Sequence, residues 1–200
     1  QVRDHTDHDI GGSDLADGAL TGRQKVYCGG KKKEIRTERL TIVPFELKYL
    51  NDYYNGFDKE ITKYQYPDSF DSVEAAETLL QEFIDEMDRG EMLFLAILDP
   101  NGEFAGGLEV HGLAEEYPEL GIWLKKDFQG KGYAYEALRS VLQYLNQTCQ
   151  KEWYVYEADI RNKPSIGLVA KFSCRKEGLD EFTTESGKEL KLQRYLINVK

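Results

Sequence analysis

Apolar residues fall along this chain in blocks whose period switches between two and roughly three and a half, and the switches mark its elements. Leu40-Thr41-Ile42-Val43-Pro44-Phe45 has strand character, and Pro44 points to a sheet edge or strand end because it cannot donate to a ladder. Asp71-Ser72-Val73-Glu74 has the cap-then-acid spacing of a helix start. Val73, Ala76, Leu80, Phe83, Ile84 and Met87 then recur at helical intervals until Gly90 closes the helix. Residues 94–98, the turn Asp99-Pro100-Asn101-Gly102 and residues 103–110 predict a β-hairpin. Leu120, Ile122 and Leu124 alternate with Gly121, Trp123 and Lys125 as a further strand. Ala134, Ala137, Leu138, Val141, Leu142 and Leu145 share one face of a helix over 131–147. Residues 153–160 predict a strand, and Asn162-Lys163-Pro164-Ser165 opens a helix with proline in its first turn. Residues 183–196 close the chain as a hairpin around Glu185-Ser186-Gly187-Lys188. The order predicts one mixed α/β domain over residues 39–200, without internal repeats.

Residues 1–38 show no apolar period and predict a polar arm that is flexible or ordered by a partner, for which a homodimer is one candidate. His5 and His8 lack a third well-placed ligand, so no metal is expected. Cys28, Cys149 and Cys174 are an odd set without paired spacing and suggest free thiols in a reducing cytoplasm. The sequence contains neither a membrane-length apolar run nor a signal-peptide pattern. Thirteen Tyr, nine Phe and a 40% hydrophobic content suffice for a packed core. The net charge of −10 lies wholly in residues 40–200, where 18 Lys and Arg face 29 Asp and Glu. Such a body repels nucleic-acid phosphates and draws in cations.

Chemistry concentrates where the strand at 120–124 runs into the helix that follows. Gln129-Gly130-Lys131-Gly132-Tyr133-Ala134 combines a glycine turn, consecutive main-chain N–H groups, the positive end of a helix and the Lys131 cation, with Lys125 and Lys126 upstream. That is a cradle for a diphosphate. A Walker loop would need Ser or Thr after Lys131, where Gly132 stands, and a dinucleotide fingerprint would need glycine at Tyr135.

The run Glu119-Leu120-Gly121-Ile122-Trp123-Leu124 through Phe128-Gln129-Gly130-Lys131-Gly132-Tyr133-Ala134-Tyr135-Glu136-Ala137, followed by Asn162-Lys163-Pro164-Ser165, resembles the GNAT N-acetyltransferases. Within them it is most similar to the branch with ribosomal-protein N-terminal and spermidine acetyltransferases. The resemblance covers residues 38–200 and implies a largely antiparallel twisted sheet whose central parallel strand pair splays apart between helices. It implies acetyl-CoA as co-substrate, with the main chain of residues 129–134 on its diphosphate. Ile122, Trp123 and Leu124 would meet the pantetheine arm and supply an oxyanion donor. Asn162 would hydrogen-bond the same arm, a role compatible with capping its helix.

The acceptor implied is a cationic primary amine: a protein N-terminus, a polyamine or another small amine. Its ammonium must lose a proton and the leaving thiolate must gain a hydrogen bond. Where many of the family place tyrosine seven residues after the asparagine, this chain has Val169. Ser165 takes the donor role by resemblance to the ribosomal-protein branch, with Tyr133 and Tyr156 behind it. For the base, Glu109 and His111 lie on one face of their strand, and Glu119 opens the pantetheine strand. Val169 also leaves open an alternative, an acyl-CoA-binding regulatory module without turnover. Residues 49–70, with Tyr53, Tyr54, Tyr64 and Tyr66, are the candidate acceptor side, and core packing is their equal alternative.

Overall fold

The computed structural model of the chain describes residues 34–199. His5, His8, Cys28, Lys31-Lys32-Lys33 and most of the arm lie outside the described residues. In chain order the elements are β1 (Ile35–Arg36), β2 (Thr41–Pro44), α1 (Leu50–Gly56), α2 (Val73–Arg89), β3 (Leu93–Leu98), β4 (Phe104–His111), β5 (Glu119–Leu124), α3 (Tyr133–Cys149), β6 (Trp153–Asp159), α4 (Lys163–Val169), β7 (Ser173–Thr183) and β8 (Glu189–Asn198). The strands form one eight-stranded sheet in the order β1-β2-β3-β4-β5-β6-β8-β7. Neighbours are antiparallel except the parallel pair β5–β6.

Most elements follow from local chemistry. Ser72 caps α2 by accepting from the Ala75 N–H, and Gly90 ends it at φ 76°. Pro44 is the last residue of β2, beyond the two positions that pair with β1. The helix expected from residue 131 starts at Tyr133, because Gly132 takes a left-handed conformation that ends the loop first.

Two expectations fell short. The pattern gives no sign of α1, because its seven residues include three polar side chains, Asn51, Asp52 and Asn55, and no full apolar period. The closing hairpin is much longer than expected: β7 begins at Ser173, and its charged, largely exposed sequence hides a strand behind loop-like composition. The pairing of Ile35–Arg36 with Ile42 and Thr41 also carries ordered chain ahead of residue 39.

Two clusters sandwich the sheet. Leu95, Ile97, Leu108, Val110, Leu120, Leu138, Leu142 and Tyr156 pack on the α3 face. Phe45, Tyr53, Phe57, Leu80, Phe83, Phe94, Phe104 and Trp123 pack beneath α1 and α2. Because helices cover both faces, β3 is apolar at consecutive positions rather than alternate ones.

One topological feature positions the site. β5 and β6 pair only at Glu119–Val155 and Leu120–Tyr156, then part. β4 stays paired with β5 through Leu124, and β8 stays with β6 through Asp159, so the sheet opens as a wedge between intact halves. The α1–α2 connection bridges the parting on one face. Lys188, in the β7–β8 turn, donates to the carbonyls of Thr62 and Gln65, each at 2.7 Å, and pairs with Asp68 at 2.6 Å.

Candidate active site

Beyond β5 the chain makes a 3-10 turn, Lys126–Phe128, and reaches two glycines with positive φ, Gly130 at 74° and Gly132 at 81°. Gly132 is the N-cap of α3 and has no side chain with which to cap it. The first intrahelical bond runs from Glu136 N–H to the Gly132 carbonyl at 3.1 Å, so the N–H groups of Tyr133, Ala134 and Tyr135 have no acceptor within the helix. A methyl group on Gly130 would meet nothing within 4 Å. Open space, uncapped donors and a helix dipole suit an anion with several oxygens.

The side chains around this cradle divide their work. Gln129 Nε2 turns back to the Leu124 carbonyl at 3.0 Å, tying the loop to the strand that feeds it. Lys125 pairs with Asp52 at 3.5 Å and Lys126 with Glu60 at 2.9 Å, so acidic neighbours offset both upstream cations. Lys131 instead lies over the Phe128 ring, 5.2 Å from its centroid. It is the loop cation not taken up by an ion pair among the described residues.

The direction of the β5 main chain follows from two bonds. Val155 N–H bonds the Pro118 carbonyl on the β6 side, and Lys125 N–H bonds the Ala105 carbonyl on the β4 side. Strand alternation then turns the N–H and C=O of Ile122 and Leu124 toward the wedge and those of Trp123 toward β4. The Trp123 indole packs against Tyr53 and Phe57 at 4.8 and 5.1 Å between centroids. Its buried Nε1 finds no hydrogen-bond partner.

On the α1–α2 face, just where the strands part, the structure brings together all the candidate bases. Glu109 sits opposite Gly121, and His111 sits opposite Glu119. His111 Nε2 lies 3.2 Å from Glu109 Oε2, and the Tyr53 hydroxyl donates to Glu109 Oε1 at 3.3 Å. Burial pulls the His111 pKa down, but the hydrogen bond and charge of Glu109, with Glu119 and Glu86 beyond, hold it above its ordinary value. Burial, then the Glu109 charge, pushes the Tyr53 phenol well above its usual range, so it stays a neutral donor.

On the opposite face, Tyr156 is the last β6 residue paired with β5, and its hydroxyl meets Ser165 Oγ at 2.8 Å. Burial raises the Tyr156 pKa against the opposing Ser165 hydrogen bond. Asn162 caps α4, its Oδ1 accepting from Ser165 N–H at 3.2 Å. Val169 is buried in the same core cluster as Tyr156. Among the described residues no cluster of three His, Cys, Asp or Glu is placed to hold a metal ion, and no helix is long and apolar enough to cross a membrane.

A profile of the acetyltransferase (GNAT) domain matches residues 39–175, well over half of the chain. The chain belongs to the GNAT acetyltransferase family. Membership makes it an acetyltransferase with acetyl-CoA as its acetyl donor. An uncharacterized N-acetyltransferase, p20, of Bacillus licheniformis is 30% identical over 72% of this chain and 83% of its own length. Solved GNAT structures share the fold. RimJ of Mycobacterium smegmatis, in complex with CoA-disulfide, superposes with TM-score 0.72 at 19% identity, over 84% of this chain and 86% of that one. The spermidine N-acetyltransferase of Vibrio cholerae, in complex with CoA and spermine, gives TM-score 0.69 at 19% identity, over 80% and 95%.

Two contacts of the candidate site were not legible in the sequence, although Tyr53 itself stands among the tyrosines expected on the acceptor side. Tyr53 sits 56 positions from its partner Glu109. Arg39 reaches Glu136 from 97 positions away. No local spacing encodes such contacts.

Proposed function

We propose that this acetyltransferase N-acetylates a cationic primary amine that approaches from the α1–α2 face, with the donor lying along the β5–β6 wedge. One observation carries the reading. A carboxylate–imidazole cluster and a hydroxyl pair lie on opposite faces of the sheet, at the point where β5 and β6 part. That separation suits amine transfer, because one group can take the proton of the nucleophile while another donates to the departing thiolate.

Acetyl-CoA supplies a thioester carbonyl as electrophile and a thiolate as leaving group. The main-chain N–H groups of residues 130–134, with Lys131, hold the diphosphate. Gln129 braces that loop through the Leu124 carbonyl. Ile122 and Leu124 offer main-chain groups to the pantetheine, and the Ile122 N–H faces the wedge as oxyanion donor. Trp123 stiffens the acceptor wall rather than touching the cofactor. Asn162 spends its Oδ1 on the helix cap, which leaves its Nδ2 for the pantetheine.

Glu109 attracts the ammonium and takes its proton, with Glu119 as the second carboxylate. The His111 imidazolium moderates the Glu109 charge until it deprotonates. Ser165 donates to the thiolate, and the Tyr156 hydroxyl supports it. Residues 49–70 line the acceptor side: Tyr53 is core, whereas Tyr66 is exposed and packs edge-on to Phe182.

The test is thiol release from acetyl-CoA with panels of N-terminal peptides, polyamines and aminoglycosides. Turnover with a cationic amine, lost on Glu109→Gln, is the expected result. Acetyl-CoA binding without turnover on any amine would overturn the acceptor assignment.

A further inference from the structure

The loop holds a peptide plane whose direction the loop cannot set by itself. The Lys131–Gly132 peptide pivots on ψ of Lys131 and φ of Gly132, and glycine at the second pivot, at φ 81°, makes rotating it sterically cheap. A trans peptide directs its C=O and the next N–H oppositely, so whatever holds the Lys131 carbonyl also aims the Gly132 N–H. Arg39 holds it: Nη1 donates to the Lys131 carbonyl at 2.9 Å. Arg39 is itself fixed on three sides. Its Nε and Nη2 donate to Glu136 Oε2 at 2.8 and 2.7 Å, its main-chain N–H donates to Oε1 at 2.8 Å, and its guanidinium lies 4.8 Å from the Tyr133 ring centroid. Thr37 Oγ1 donates to the same Oε1 at 2.6 Å, so the turn between β1 and β2 is tied to the first turns of α3.

Resting on the assignment of residues 129–134 to the donor's diphosphate, we propose that Arg39 is a positioning residue for that cradle. Its contact with the Lys131 carbonyl aims the Gly132 N–H into the anion site, and its ion pair with Glu136 neutralises a carboxylate that would otherwise oppose a diphosphate at this helix end. The main-chain contact is the essential part. Lysine cannot reproduce it, because a single ammonium does not replace a guanidinium that serves the carbonyl and the carboxylate through separate N–H groups.

The experiment compares acetyl-CoA KM, acceptor KM, kcat and Tm for the full chain carrying Arg39→Met, Arg39→Lys, Arg39→Met with Glu136→Gln, or Gly132→Ala. Arg39→Met is expected to raise acetyl-CoA KM about tenfold, leaving kcat and acceptor KM within about threefold, with Arg39→Lys intermediate. The double variant, which removes the carboxylate as well, is expected to stay within about threefold of Arg39→Met. A return of the double variant to the wild-type KM would overturn the main-chain role in favour of charge neutralisation alone. A fall in Tm without a change in acetyl-CoA KM would reduce Arg39 to a structural residue. If Gly132→Ala raises the KM while the Arg39 variants do not, the clamp fails and the loop assignment stands. If none of them does, the loop assignment fails. Should Arg39→Met not fold, Arg39→Lys carries the same comparison, because it retains the ion pair.

Discussion

Gly130 and Gly132 share a loop and nearly the same φ, 74° and 81°, but not the same surroundings. Alanine at each position therefore separates conformational strain from steric strain. The left-handed conformation costs an L-residue about 1–2 kcal/mol. A less flexible unfolded chain returns about 0.4–1 kcal/mol of that. Gly130→Ala adds a methyl that meets nothing within 4 Å, so its net loss is expected near 1 kcal/mol, on the order of the difference between those terms. Gly132→Ala adds a methyl 3.4 Å from Arg39 Nη2. That distance is at the edge of ordinary van der Waals contact, and the guanidinium yields only by lengthening its bonds to Glu136 and Lys131, so a further loss of up to about 1 kcal/mol is expected, no more than the low end for overpacking a core. For a domain of this size the melting temperature should fall by about 2–4 °C for Gly130→Ala and by more than that, up to about 8 °C, for Gly132→Ala. Urea denaturation followed by the fluorescence of Trp123 and Trp153 measures both. Combining Gly132→Ala with Arg39→Met should bring its loss down toward that of Gly130→Ala relative to the matching single-site background. Equal losses at the two glycines, or a Gly132→Ala loss indifferent to Arg39, would refute the reasoning.

Three other outcomes are expected. The raised pKa of His111 means that its ion pair with Glu109 is fully formed below about pH 6.5, the ordinary histidine value, and is lost as pH rises through the raised value. The stability advantage of the wild type over His111→Gln should therefore shrink with rising pH, while kcat/KM for the amine climbs more steeply over the same range in the wild type than in the variant; a pH-independent difference would remove His111 from the site. Asp159 is fully buried, and although burial opposes it, Arg161 and the main-chain N–H groups of Arg161 and Lys191 hold its carboxyl down to about 2. It should contribute about 2 kcal/mol that is present above about pH 4 and lost as pH falls through about 2, so Asp159→Asn should be less stable at neutral pH and show a flatter acid limb in pH-dependent unfolding. Ser165→Ala should lower kcat about 100-fold, the low end for a general acid because the Tyr156 hydroxyl remains, with acetyl-CoA KM unchanged in thiol-release assays; an unchanged kcat would move the donor role to Tyr156.

What the sequence determined by itself is what short-range chemistry encodes. The capped helix α2, the amphipathic helix α3 and the strand feeding the glycine loop are each specified within one window by periodicity, caps and turns, and the loop's spacing excluded two nucleotide folds. Local patterning failed where context supplies the stability. α1 exists because Tyr53 and Phe57 find the aromatic floor of Phe94, Phe104 and Trp123, and β7 exists because β8 pairs along its length. The tertiary structure also decided which charges count. It offset Lys125 and Lys126 with Asp52 and Glu60, and it set Glu119 across from His111 beside Glu109. It gave Arg39 the Lys131 carbonyl to hold. Each of these joins residues far apart in sequence through side-chain electrostatics a few ångströms long, and only the folded chain brings such atoms within that range.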